Sequence, residues 1–153
     1  MQKEKIQIVH LQMVKDREVS YGNTYLNSPD AAVQFTKSII ADMICGRDRE
    51  CMVVCALDTK LKPVCIQIVG IGTVNSCLYS IPDIFKVALL SNAASILLFH
   101  NHPSGNPDPS REDIECTRKV ADTGNLLGIT LQDHIILGDN GCYYSFKEDG
   151  RYF

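Results

Sequence analysis

The sequence has no Cys-x-x-Cys pair, although it holds seven cysteines, at 45, 51, 55, 65, 77, 116 and 142. That absence excludes a zinc ribbon and a thioredoxin-type redox motif. It also excludes a zinc nucleobase deaminase, whose metal takes such a pair beside its histidine. Cys51, Cys55 and Cys65 lie in apolar runs, where cysteine behaves as a small hydrophobe. The set reads as reduced core residues of a cytoplasmic protein. Basic charge is not in excess either: 15 Lys and Arg against 18 Asp and Glu leave a net charge of −3 and a pI near 5.7. The basic residues are scattered, without the stripe that phosphate-backbone binding leaves, which disfavours direct DNA binding. No apolar run is long enough to span a bilayer. The N-terminal stretch has charges interrupting its apolar residues and lacks the continuous apolar region of a signal peptide. P-loop and Rossmann patterns are missing, since Gly70-x-Gly72 lacks the third glycine and the helix. No Ser-His or Cys-His pair stands out, and there are no repeats or low-complexity tracts.

What remains is an ordinary globular composition, 45% hydrophobic and 22% charged over 153 residues. This length buries a full core without disulfides. Residues 5–14 alternate imperfectly, with Ile6 and Ile8 against Val9 and Leu11, and predict a strand. Residues 15–27 are polar, with Gly22, Asn23 and Asn27 marking a connection, so 1–27 reads as an N-terminal strand and extension. Ser28-Pro29-Asp30 opens a helix with an N-cap serine, a proline at the first helical position and an acid in the first turn. Its apolar stripe runs from Ala32 through Phe35, Ile39, Ile40 and Ile44, ending near Gly46, and Arg47-Asp48-Arg49 forms a charged corner.

Residues 51–57 form an unbroken apolar run, the signature of a strand buried on both faces. Asp58-Thr59-Lys60 turns the chain into a second strand over 64–69, making a hairpin, with Gly70, Gly72 and Asn75 breaking its end. Pro82 opens a helix carrying Ile84, Phe85, Ala88 and Leu89 on one face. A buried strand over 93–99 follows and delivers His100 at its far end. Residues 110–126 predict a helix with Ile114, Thr117, Val120, Ala121 and Gly124 inward. Strands over 129–137 and 142–146 are joined by an Asn140-Gly141 turn. Hairpins mixed with helical crossovers indicate an α/β domain over 28–153, a mixed sheet with packed helices.

The chemistry concentrates in His100-Asn101-His102-Pro103-Ser104-Gly105 and the following Ser110-Arg111-Glu112-Asp113. In extended chain, residues i and i+2 face the same way, and Pro103 holds His102 extended. Both imidazoles therefore face one point, while Asn101 points away. The Pro- and Gly-broken loop reverses the chain compactly. Asp113, in the first turn of the helix begun by Ser110, comes back to meet the two histidines. Two imidazoles and one carboxylate with a fourth position open form a catalytic zinc set; a structural site would be closed, mostly by sulfur. Ser-x-x-Asp is also a capping-box pattern, and His-x-His also occurs as a hydrogen-bonded loop pair, so the weight rests on their combination.

His100-x-His102-x7-Ser110-x2-Asp113 resembles the JAMM motif of MPN-type (JAB) metalloproteases. His-Asn-His-Pro-Ser-Gly, Pro-Ser-x-x-Asp and Asp133-His134-Ile135-Ile136 together resemble its RadC branch. The resemblance covers residues 28–153. It implies a cytidine-deaminase-like fold, bound Zn2+ held by His100, His102 and Asp113, and hydrolysis of amide or isopeptide bonds in a polypeptide substrate. The family also uses a glutamate from an earlier strand, which matches Glu50. Glu50 would act as general base and proton carrier, and the Ser110 hydroxyl would steady the oxyanion. Asp133 and His134 read either as partners behind the metal ligands or as a hydrogen-bonded strand pair. RadC proteins carry a helix-hairpin-helix region ahead of this domain, and the segment before residue 28 is too short for one. They also read His-Pro-Arg-Glu where this chain has Ser80-Ile81-Pro82-Asp83, a departure that bears on the substrate surface rather than the metal ligands. The competing expectation is a non-catalytic accessory module of the same fold, associated with DNA repair. Intact ligands, serine and glutamate favour the enzyme.

Overall fold

The computed structural model describes residues 4–22, 25–44, 48–72 and 79–150. Gly46, Arg47 and Asn75, where a helix end, part of the charged corner and a strand break were expected, lie outside these, as do Asn23, Cys45 and Cys77.

A mixed five-stranded sheet runs β2-β1-β3-β4-β5. β1 (Cys51–Leu57) pairs antiparallel with β2 (Pro63–Ile71), as the hairpin signal predicts, and antiparallel with β3 (Ser95–Asn101) on its other side. β3 pairs parallel with β4 (Thr130–Leu137), the one parallel pair among the described residues, and α4 (Arg111–Leu127) makes the crossover that a parallel pair requires. β5 (Tyr143–Ser145) returns antiparallel to β4 through Asn140 and Gly141, both at positive φ, the geometry an Asn-Gly turn provides.

Helices cover both faces of the sheet. On one, Val33, Phe35, Ile39 and Ile40 pack on Val53, Cys55, Leu97, Phe99 and Ile135. They come from α1 (Pro29–Phe35) and the π-helical turn Thr36–Ile40, which continues into α2 (Ala41–Ile44). On the other face, Ile84, Phe85, Cys116 and Val120, from α3 (Ile81–Leu90) and α4, pack on Met52, Val54, Ile96, Leu98 and Leu131. This double covering explains why every residue of β1 is buried, and why its sequence is apolar throughout instead of alternating. Cys51 and Cys55 are buried and Cys65 half-buried.

Three expectations change. The strand over 5–14 does not form: residues 4–22 carry no helix or strand and Ile6, Ile8 and Leu11 are exposed. Its alternation is imperfect, and a strand without a partner leaves its backbone groups unpaired. The strand expected to end at 99 runs on to Asn101, because β1 and β4 flank it on both sides and extend its ladder through His100. The closing strand is shorter than 142–146. Ser145 caps a short helix, α5 (Phe146–Asp149), by accepting from the Glu148 amide, and Phe146 is buried from that helix. Among the described residues, no helix is long and apolar enough to cross a membrane.

Candidate metal centre

Position 100 is fixed by the sheet. His100 lies opposite Met52 and beside Ile136, with 0% side-chain exposure. The chain then leaves the ladder gradually. The His102 amide still donates to the Leu137 carbonyl (2.9 Å), so His102 stays extended and its ring faces the same side as His100.

The loop that follows is stapled to the end of β4. The Gly105 amide donates to the His102 carbonyl (3.0 Å), and the Asp139 amide donates to the Gly105 carbonyl (2.9 Å). Gly105 sits at φ +80, and a Cβ on Gly138 would lie 2.4 Å from the Gly105 carbonyl oxygen. Glycine at both positions permits this close backbone approach. Asn106 ties its own turn by accepting from the Asp108 amide (3.1 Å). The chain reaches Ser110 ready to start α4, where Ser110 and Asp113 form a reciprocal capping box.

Three side chains converge. The His100 Nε2 and His102 Nε2 atoms are 2.9 Å apart. The Asp113 Oδ1 atom lies 3.1 Å from His100 Nε2, and Asp113 Oδ2 lies 3.3 Å from His102 Nε2. One ligand atom from each residue falls within 4.8 Å of the others, so the group can hold a metal ion. His102 is 11% exposed and Asp113 9%, against nothing for His100, so the centre reaches solvent past His102 and Asp113.

The electrostatics suit a cation. Burial alone would push the Asp113 carboxyl up. The close contacts with His100 and His102 and the hydrogen bond from the Ser110 hydroxyl outweigh it and hold the carboxyl well below the usual carboxylate range. It is ionised at neutral pH, as a ligand must be. Burial pulls His102 down, but its contacts with Asp113 and the Asn106 carbonyl, together with the charges of Asp113 and Glu50, raise it above its ordinary value.

Both imidazoles use their second nitrogen elsewhere. His102 Nδ1 meets the Asn106 carbonyl at 2.8 Å, and a carbonyl only accepts, so Nδ1 carries the hydrogen. His100 Nδ1 meets His134 Nε2 at 2.8 Å, and His134 Nδ1 meets the Thr117 hydroxyl at 2.7 Å. His134 is fully buried, and that burial holds it well below its ordinary range.

Of the residues expected from sequence, His100, His102 and Asp113 meet in one cluster. Ser110 adjoins it, but its hydroxyl is occupied: it donates to Asp113 Oδ2 (2.6 Å) and accepts from the Asp113 amide (3.1 Å). Glu50 immediately precedes β1, outside the three-residue cluster and near enough for its charge to act on His102. Asn101 does point away, accepting from the Cys51 amide (2.9 Å) and donating to the Arg49 carbonyl (3.1 Å).

Asp133 and His134 separate. His134 stands behind His100. Asp133 turns to the other face, accepting from the Ser145 hydroxyl (2.6 Å), the Lys147 amide (3.0 Å) and the His134 amide (2.7 Å), and so anchors the start of α5. The sequence pattern marks Thr117 only as an inward helix residue. Its spacing of four from Asp113, one helical turn, was the available signal.

The sequence profile of the RadC-like JAB domain matches residues 26–151. A UPF0758 protein of Methanosarcina acetivorans is 40% identical over 130 residues, 83% of this chain and 56% of that protein. One from Caldanaerobacter subterraneus is 46% identical over 96 residues, 63% of this chain and 41% of that protein. One from Shouchella clausii is 38% identical over 134 residues, 88% of this chain and 56% of that protein. The matches thus span between 41% and 56% of the length of these relatives.

Proposed function

The chain belongs to the RadC-like JAB domain family, and on that premise we propose that it is a zinc-dependent hydrolase of amide or isopeptide bonds in a polypeptide substrate. One observation carries the reading. His100 Nε2, His102 Nε2 and the Asp113 carboxylate converge while the Nδ1 atoms of both histidines are engaged elsewhere. This donor set suits zinc, because two imidazoles and one carboxylate leave one coordination position open. Zinc bound there would act as a Lewis acid toward a carbonyl oxygen and acidify a water.

The protein's own residues supply the rest. Asp113 is anchored by Ser110, whose backbone amide (2.8 Å) and hydroxyl both donate to its Oδ2. His100 is locked in the ladder and His102 by Asn106, so little ordering is left for binding. Glu50, near enough for its charge to act on His102, takes the proton from the attacking water and passes it to the leaving amine. Ser110 can turn its hydroxyl toward a developing oxyanion only by giving up its bond to Asp113. Its first task in this reading is therefore to hold the ligand.

The test is hydrolysis of a mixed library of linear and isopeptide-linked fluorogenic peptides by zinc-loaded protein. We expect cleavage that a chelator abolishes. Glu50→Gln should keep its zinc while losing about 10^2- to 10^4-fold in rate, and it should retain peptides in a pulldown. Cleavage that survives zinc removal would overturn the reading. So would zinc-loaded protein that leaves the whole library intact, an outcome that favours a scaffold role.

A further inference from the structure

We propose that Thr117 and His134 are positioning residues that set the tautomer of His100, leaving its Nε2 lone pair free for a metal; this rests on the metal reading of the site. The Thr117 hydroxyl has one hydrogen and two close neighbours, the Asp113 carbonyl at 2.7 Å and His134 Nδ1 at 2.7 Å. A carbonyl only accepts. If Thr117 donates to it, His134 Nδ1 must carry a hydrogen and donate to the hydroxyl oxygen. A second hydrogen on His134 would make an imidazolium with 0% exposure and no carboxylate among these hydrogen-bond partners; its Nε2 is therefore bare and accepts from His100 Nδ1–H across 2.8 Å. His100 is left with its lone pair on Nε2, the atom that faces Asp113 and His102.

The opposite direction is worse at both ends. Were Thr117 to donate to His134, its contact with the Asp113 carbonyl would contain no hydrogen, two oxygen lone pairs 2.7 Å apart. His134 Nε2–H would then donate to His100 Nδ1, placing the His100 hydrogen on Nε2 and blocking that ligand atom.

The chain of contacts also closes on itself. Asp113 supplies the carboxylate from its side chain and the terminal acceptor from its backbone, so one residue both completes the centre and orients the ligand opposite. Every member is sheltered: His100, Thr117 and His134 are each 0% exposed, so water does not compete for these bonds. His134 is further held by stacking on Phe146 at 5.1 Å and 8°.

The experiment pairs zinc affinity, measured against a competing chelator, with 15N spectra of the histidine rings. Thr117→Val keeps shape and burial but removes the hydroxyl. It should weaken zinc binding about 10- to 100-fold, the range for a lost partner of a ligating histidine, and Thr117→Ser should restore it. His134→Phe keeps the stacking ring and should weaken zinc at least as much. Wild-type spectra should show His100 and His134 both protonated on Nδ1. Wild-type protein that binds zinc with an unchanged affinity in Thr117→Val would overturn the relay and leave the metal reading standing. Wild-type protein that binds no zinc would overturn the metal reading. An Nε2-protonated His134 would overturn the relay whether or not zinc binds.

Discussion

Ser110 and Asp113 show how one pair of side chains serves helix and centre together. The capping box and the ligand were competing readings of Ser-x-x-Asp, and in the structure both hold: the carboxylate oxygen that caps the Ser110 amide also faces His102. Ser110→Ala therefore removes the acceptor of the Asp113 amide and a donor to the carboxylate. It should lower stability by about 1 kcal/mol in urea unfolding and weaken zinc binding, while Ser110→Thr should retain most of both. The histidine ligands were legible because i and i+2 share a face in any extended chain. Glu50 was not legible in the same way, since its approach to His102 depends on β1 pairing with β3 across about 50 residues. The role of His134 was half-legible. Which of Asp133 and His134 faces the centre depends on the register of β4, which shifts between Ile96 and Leu97 and skips Gln132.

Two loops hold the elements in place, and each makes a prediction. The loop after β3 is pressed against the end of β4. A Cβ on Gly138 would strike the Gly105 carbonyl, which is backbone with little freedom to move. Gly138→Ala should therefore displace the His102–Asp113 loop, reducing zinc affinity and stability together by chelator competition and urea unfolding. Gly128→Ala, whose Cβ would meet nothing within 4 Å, should leave zinc affinity unchanged despite its strained positive φ. The second loop joins β1 to β2, where Asp58 Oδ1 accepts from the amides of Lys62 (2.9 Å) and Lys60 (2.7 Å). The Lys62 amide is the largest influence holding the Asp58 carboxyl below its ordinary 3.8. A carboxyl depressed in the folded state adds stability above its unfolded value and loses it as pH falls through the folded one. The urea midpoint of wild type should exceed that of Asp58→Asn at pH 7, and the gap should close as pH drops below about 3.8. A gap that widened in acid would contradict the turn assignment.

At the scale of the molecule, the sheet, its helices and the placement of the histidines at the end of β3 follow from patterns any chain of this kind displays. Continuous apolar runs marked β1 and β3, Ser-Pro-Asp marked α1, and Asn140-Gly141 marked the last turn. Residues 5–14 form no strand because their alternation records local preference, whereas a strand exists only with a partner. Residues 4–19 are exposed throughout, and deletion through Val19 should shift the melting temperature by less than about 2 °C and leave zinc binding intact. The central claim is that His100, His102 and Asp113 form one zinc site. Its most direct test is the zinc content of purified, dialysed protein by elemental analysis. The account predicts about one zinc per chain, lost in both His100→Ala and Asp113→Ala; folded wild-type protein that takes up no zinc would contradict it.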